Sequence, residues 1–101
     1  MKSLGILLTT GPEREDSALV GRLAQAALDM GVKVYIFLSA DGIYDCFDKR
    51  FLSLQDKGAS ITICEQSARD RGIDVEAPVT KGSLYDFSII VGEVDRVISF
   101  T

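Results

Sequence analysis

Cys64 is the residue whose type and setting point most directly to chemistry. It follows Ser60-Ile61-Thr62-Ile63, a short run rich in β-branched residues, and precedes Glu65-Gln66-Ser67-Ala68-Arg69-Asp70-Arg71, whose composition favours a helix. A buried strand would thus deliver its side chain to a sheet edge. Thiolate is the reactive form, and an ordinary free thiol is only a few per cent ionised at neutral pH. A surface helix terminus is worth about 0.3–1 kcal/mol to an anion, less than one pKa unit, and Glu65 opposes it. Activation would fall to Arg69, Arg71 or a neighbouring subunit, although both arginines read equally well as exposed helix charges. A small buried hydrophobe is an even alternative for Cys64, since free cysteine is often buried.

Cys46, beside Phe47, reads mainly as a packing residue, and a Cys46–Cys64 redox pair would demand close and specific geometry. Two cysteines are too few for a disulfide framework. The chain has no histidine, which excludes a Ser-His or Cys-His dyad and any imidazole ligand of its own. Nothing in these motifs calls for a metal or a cofactor.

The other strand ends offer less. Residues 9–17 read Thr-Thr-Gly-Pro-Glu-Arg-Glu-Asp-Ser, with one glycine, a proline lacking an amide donor and three carboxylates. That is neither a G-x-G-x-x-G turn nor a P-loop, and the carboxylates would repel a phosphate. A phosphoacceptor receiver domain would need acids where Thr9, Thr10 and Cys64 stand. A cysteine phosphatase would need arginine where Asp70 stands, between Arg69 and Arg71. Thr10, Gly11 and Tyr44 are supporting candidates at these ends.

The elements that must position these residues alternate along the chain. Residues 4–9 form a short apolar run closed by Gly11-Pro12, which reads as a strand buried on both faces. Ser17 reads as the N-cap of a helix whose stripe is Leu19, Leu23, Ala26, Ala27 and Met30, stopped at Gly31. Residues 32–38 read as a second strand. Tyr44, Phe47, Phe51 and Leu54 give another helical stripe ended by Gly58. Residues 60–63 read as a third strand running into Cys64, followed by a helix over 65–71 that stops at Gly72. Residues 73–81 look irregular, with a short edge strand near 75–79. Ser83 and Asp86 have capping-box spacing ahead of a last helix carrying Leu84, Phe87, Val91 and Val94, and residues 96–100 close the chain as a strand. Strand–helix alternation predicts right-handed crossovers and a mainly parallel sheet covered on both faces, with reactive groups beyond the carboxyl ends of the strands.

The chain has 101 residues, 47% of them hydrophobic, with 11 Lys+Arg against 15 Asp+Glu and a net charge of −4. That suits one domain over residues 1–101 with a real core. A pI near 4.7 argues against sequence-independent nucleic-acid binding. The apolar start ends at Thr9-Thr10-Gly11-Pro12, short of a secretory core, and no run approaches the ~20 residues that span a bilayer. The expectation is a cytoplasmic protein with reduced thiols, without direct nucleic-acid or membrane contact.

In order, these pieces resemble the DsrE/DsrF-like family of sulfur-relay proteins, TusD-type subunits in particular. The matching segments are Thr10-Gly11-Pro12, the small-residue helix up to Gly31, Val34-Tyr35-Ile36-Phe37-Leu38 with Asp41-Gly42-Ile43-Tyr44, Gly58 through Cys64, Arg71-Gly72-Ile73, and Asp95 through Phe100. The strand–cysteine–short helix–Arg-Gly arrangement is the most specific. The chain is shorter than TusD-type subunits before Gly58 and between Gly72 and the last helix. The resemblance implies a three-layer α/β/α sandwich with a mainly parallel four- or five-stranded sheet. It implies assembly into homo- or hetero-oligomers, trimers or hexamers, and exchange with sulfur-donor and sulfur-acceptor proteins. It also places Cys64 at the position that carries persulfide sulfur in active members. Two alternatives stand beside this: a scaffolding subunit with an inert Cys64, and a small-ligand or nucleotide binder using the loops at 10–16 and 41–44.

Overall fold

Alternation along the strands decides what each face of the sheet carries. The computed structural model describes residues 2–76 and 79–101. Its strands are β1 (Ser3–Leu8), β2 (Lys33–Leu38), β3 (Ser60–Cys64), β4 (Thr80–Gly82) and β5 (Arg96–Phe100). The helices are α1 (Glu15–Asp29), α2 (Lys49–Asp56), α3 (Glu65–Asp70) and α4 (Leu84–Glu93), with a 3₁₀ segment at Ala40–Phe47. The strands form one five-stranded sheet in the order β4-β3-β2-β1-β5, and every pairing is parallel.

Leu4, Ile6 and Leu8 of β1, Val34, Ile36 and Leu38 of β2, and Ile61 and Ile63 of β3 share one core. Val20, Ala24 and Ala27 of α1, Phe51 and Leu54 of α2, and Ala68 of α3 close it from one side. The chain returns from β4 to β5 across the whole sheet, and a right-handed return puts α4 on the opposite face. There Phe87 packs on Phe37 with ring centroids 5.1 Å apart. Gly5 lets α4 lie close, since a Cβ on it would stand 3.2 Å from Val94 Cγ2 and 3.5 Å from Ile90 Cγ2. The result is an α/β/α sandwich with, among the described residues, three helices on one face and one on the other.

Several local expectations shift. Ser17 is not the N-cap: α1 begins at Glu15, and Ser17 is buried inside its first turn. The buried stripe is Ser17, Val20, Gly21, Ala24 and Ala27, whereas Leu19 and Met30 are exposed. Small side chains let the helix seat on the sheet, so size overrode hydrophobicity in choosing the inner face. The stripe from Tyr44 to Leu54 is broken between the 3₁₀ segment and α2, with Asp48 capping α2 through the Arg50 amide at 2.8 Å. Phe51 and Leu54 enter the core, while Tyr44 and Phe47 stay exposed. The edge strand lies at Thr80–Gly82, beyond the expected 75–79; residues 77 and 78 of that segment lie outside the described residues. The capping box holds: the Ser83 amide donates to Asp86 Oδ2 at 2.7 Å.

A buried polar bridge ties the first two strand ends together. Ser17 Oγ lies 2.8 Å from the Gly11 carbonyl oxygen and 2.7 Å from Asp45 Oδ1, and Asp45 is fully buried. One hydroxyl proton cannot serve two acceptors. The contacts are satisfied when a protonated Asp45 donates to Ser17 Oγ and Ser17 donates to Gly11. Burial first, opposed by the Ser17 hydrogen bond and reinforced by Asp48 and Glu13 against Arg50, pushes the carboxyl up to about 7 from 3.8. Between those values the folded chain holds a proton that the unfolded chain has released. Stability from this group is therefore complete below about pH 4 and drains as pH rises through 7, by on the order of 4 kcal/mol. An asparagine side chain mimics the protonated acid without titrating. Asp45→Asn is therefore expected to flatten urea-unfolding stability across pH 4–8 and to exceed wild type most above pH 7.

Candidate functional site

The sheet's alternation places Ile61 and Ile63 in the helix-covered core and turns Thr62 and Cys64 to the α4 face. Cys64 is the last residue of β3 and is 6% exposed. It borders a pocket of about 420 Å³ with Ser39, Glu65, Gln66, Ser67, Arg69, Gly82, Ser83 and Leu84. Ser39 directly follows β2, while Gly82, paired with Cys64, and Ser83 lead from β4 into α4. Three carboxyl-terminal strand edges thus converge on one sulfur.

Burial alone would raise the Cys64 thiol. The polar groups around the sulfur, the Ser67 hydroxyl first, then the amides of Ser67 and Gln66 and the Ser39 hydroxyl, outweigh it and hold the thiol below its ordinary value. Cys46 stands in the opposite condition. It is buried in the core on the other face, where burial first and then the neighbouring Asp45 push its thiol up to about 11. Both cysteines are free.

The turn after β2 is built to hold these donors. The Ser39 amide donates to the Leu8 carbonyl at 3.1 Å. Ala40 has a φ of +52°, a left-handed conformation that costs a non-glycine residue about 1 kcal/mol. Its amide donates to Ser67 Oγ at 3.0 Å. Gly42 follows where any Cβ would overlap the Leu8 carbonyl, so glycine is required for this close approach.

The other sequence candidates fall at different places. Arg69 lines the pocket, donating to Gln66 Oε1 at 2.9 Å and lying 3.8 Å from Glu65. Arg71 does not line it: its guanidinium reaches Asp41 at 3.0 Å and the Ser67 carbonyl at 3.2 Å. Thr10 Oγ1 is buried without a hydrogen-bond partner among the described residues, and the Gly11 carbonyl takes part in the Ser17–Asp45 bridge. Tyr44 stands exposed on the 3₁₀ segment. Ser39 and Ser67 were not singled out from sequence. Ser67 carried a signal, three residues after a strand-end cysteine, whereas Ser39 is brought to the sulfur only by the β2–β3 pairing. Among the described residues, no three His, Cys, Asp or Glu side chains are grouped to hold a metal ion, and no helix is long and apolar enough to cross a membrane.

The fold and site define a parallel α/β/α domain that presents a strand-end cysteine in a hydroxyl-lined pocket. The structure is similar to that of the YchN protein from E. coli, with a TM-score of 0.82 at 17% identity, covering 99% of this chain and 100% of that one. It is likewise similar to BT1422 from Bacteroides thetaiotaomicron, a conserved protein of unknown function, with a TM-score of 0.82 at 16% identity, covering 98% and 95%. No curated protein matches the sequence. The model of the DsrE/DsrF-like family matches residues 2–100, and the chain belongs to that family.

The two thiols are expected to separate cleanly toward iodoacetamide at pH 7. Cys64 should alkylate in the native state, while Cys46, with about one thiolate in ten thousand, should label only on unfolding. Peptide mass mapping before and after denaturation reads this directly; native labelling at Cys46 alone would contradict the site.

Proposed function

We propose that the chain is a sulfur-relay protein that accepts persulfide sulfur on Cys64 and passes it to a thiol of a partner protein. The observation that carries the reading is a strand-end thiol, held below its ordinary pKa by uncharged donors and opening into a pocket, in a chain of the DsrE/DsrF-like family. The Cys64 thiolate attacks the outer sulfur of a donor persulfide, R–S–SH. The old S–S bond breaks, the donor leaves as R–S⁻, and Cys64–S–SH forms. An acceptor thiolate then attacks that same outer sulfur, and the Cys64 thiolate is the leaving group. One S–S bond replaces another in each step, so no oxidant, reductant or general base is consumed. Rates in such exchange follow thiolate fraction, leaving-group pKa and access, which the pocket and its donors supply together. The chemistry belongs in a compartment that keeps thiols reduced.

A second feature supports action within an assembly, as a homo- or hetero-oligomer. Helix α4 buries none of its residues, and Leu84 and Tyr85 beside the pocket are 63% and 72% exposed, with Ile89 and Val91 exposed further along. Grouped apolar side chains on a single helix mark a contact surface better than scattered ones do. The same surface supports the alternative of a scaffolding subunit whose Cys64 is inert.

Intact mass after incubation with a persulfide-loaded sulfurtransferase distinguishes these. Wild type is expected to gain sulfur mass that a reductant removes, and Cys64→Ser is expected to gain none while keeping its fold. A folded wild type that takes up no sulfur would favour the scaffolding role. Light scattering on the same sample is expected to give a trimer or hexamer, and a monomer at all concentrations would count against assembly of this chain with itself.

A further inference from the structure

We infer that β5 is a docking edge for a second copy of this chain, the two strands pairing antiparallel about a two-fold axis at Ile98. β5 ends the strand order, and among the described residues no strand pairs with its outer side. The two edges of the sheet differ in kind. β4 is three residues long and carries Lys81, and shortness and lysine both blunt an edge against further pairing. β5 is five residues long, Arg96-Val97-Ile98-Ser99-Phe100, with no proline, glycine or lysine and with its one charge at the end. Its first four residues are exposed, Val97 to 39% and Ile98 to 36%. An exposed apolar edge of this kind is a template for another strand.

The occupant follows from how β5 is oriented. The Thr9 amide donates to the Phe100 carbonyl at 3.1 Å, so the backbone groups of Arg96, Ile98 and Phe100 turn toward β1. By alternation, those of Val97 and Ser99 point outward. A two-fold axis at Ile98 sets Val97 opposite Ser99 of the second copy, and each outward N–H then meets an outward carbonyl. Only this register overlaps the whole strand with itself. The side chains agree with it. Arg96, Ile98 and Phe100 pair with Leu4, Ile6 and Leu8 and so lie on the α1 face, where Phe100 packs against the core. Ile98 therefore meets its own copy. Arg96 meets Phe100 of the second copy, a cation beside an aromatic ring and not beside another cation. Val97, which neighbours Ile90 and Val94 on the α4 face, meets Ser99 there. The result is one continuous sheet with five strands from each copy and the two Cys64 pockets toward its far ends. The inference does not depend on sulfur transfer, and it leaves each pocket open to a partner protein.

Cross-linking tests the register, in a Cys64→Ser background where the one remaining native thiol, Cys46, is buried. Ile98→Cys sets two thiols opposite each other with Cα atoms about 4.5 Å apart, within disulfide reach. Arg96→Cys, exposed on the same strand and face, lies about 14 Å along the strand from its own copy. Diamide, an oxidant that takes up the two thiol hydrogens, is expected to convert most of the Ile98→Cys protein to a covalent dimer that reductant reverses. Arg96→Cys is expected to stay uncoupled. No dimer from a folded Ile98→Cys protein, or equal coupling at both positions, would overturn the proposal. Should Ile98→Cys fail to fold, amide hydrogen exchange in the wild type decides. The Val97 and Ser99 amides face water in a lone chain, so pairing is expected to slow their exchange at least about tenfold relative to an open peptide. Open-peptide rates at both amides overturn the pairing. A two-fold contact joins copies in pairs, so light scattering that gives a trimer or a monomer overturns it as well.

Discussion

Pairing Ile36 with Ile61 and Leu38 with Ile63 commits every side chain of β3 to a face, because a strand alternates with a period of two. A slip of one residue would carry Cys64 into the helix-covered core and put Ile63 in its place. The core forbids that slip, since Ile61 and Ile63 are both buried among α1, α2 and α3. Hydrophobic burial on one face thus sets the position of a thiol on the other. The same pairing brings Ser39 beside β3, and the β3–β4 pairing brings Gly82 opposite Cys64.

The two faces are unequally covered, and the site lies on the thinner side. Among the described residues, three helices and a continuous cluster of branched side chains close one face, while α4 crosses the other through Phe87 and Ile90, with Val94 just past its end. A thiol on the crowded face is pushed up by burial, as at Cys46. A thiol at the edge of the thinner face keeps access and gains donors. The exposed apolar residues of α4 follow from the same asymmetry: among the described residues, no second layer covers the outward side of this helix.

Cys64 is stabilised by polar neighbours more than by full charges. Arginine was the natural candidate from the sequence, yet Arg71 is engaged by Asp41, and Arg69 is exposed beside Glu65 and Gln66. Exposed charges act weakly through water, whereas hydroxyls and amides lining the same pocket as the sulfur act at short range. In the relay proposed above, a thiol held below its ordinary pKa would be the better leaving group.

The order of the elements was legible in the sequence because buried parallel strands read as short apolar runs and glycines mark the ends of the helices. The strand-end position of Cys64 was equally legible, since residues 60–63 run straight into it, as was the Ser83–Asp86 box. The inner face of α1 was not, because close packing selected Gly21 and Ala24 over the more hydrophobic Leu19 and Met30. Nor were the Ser17–Asp45 bridge, spanning 28 positions, and the Ala40–Ser67 bond, spanning 27. A sequence displays periodicity and local capping within one element. Which hydroxyl faces which sulfur or carboxyl across elements depends on strand register and on the turn geometry it imposes, and those exist only once the sheet has closed.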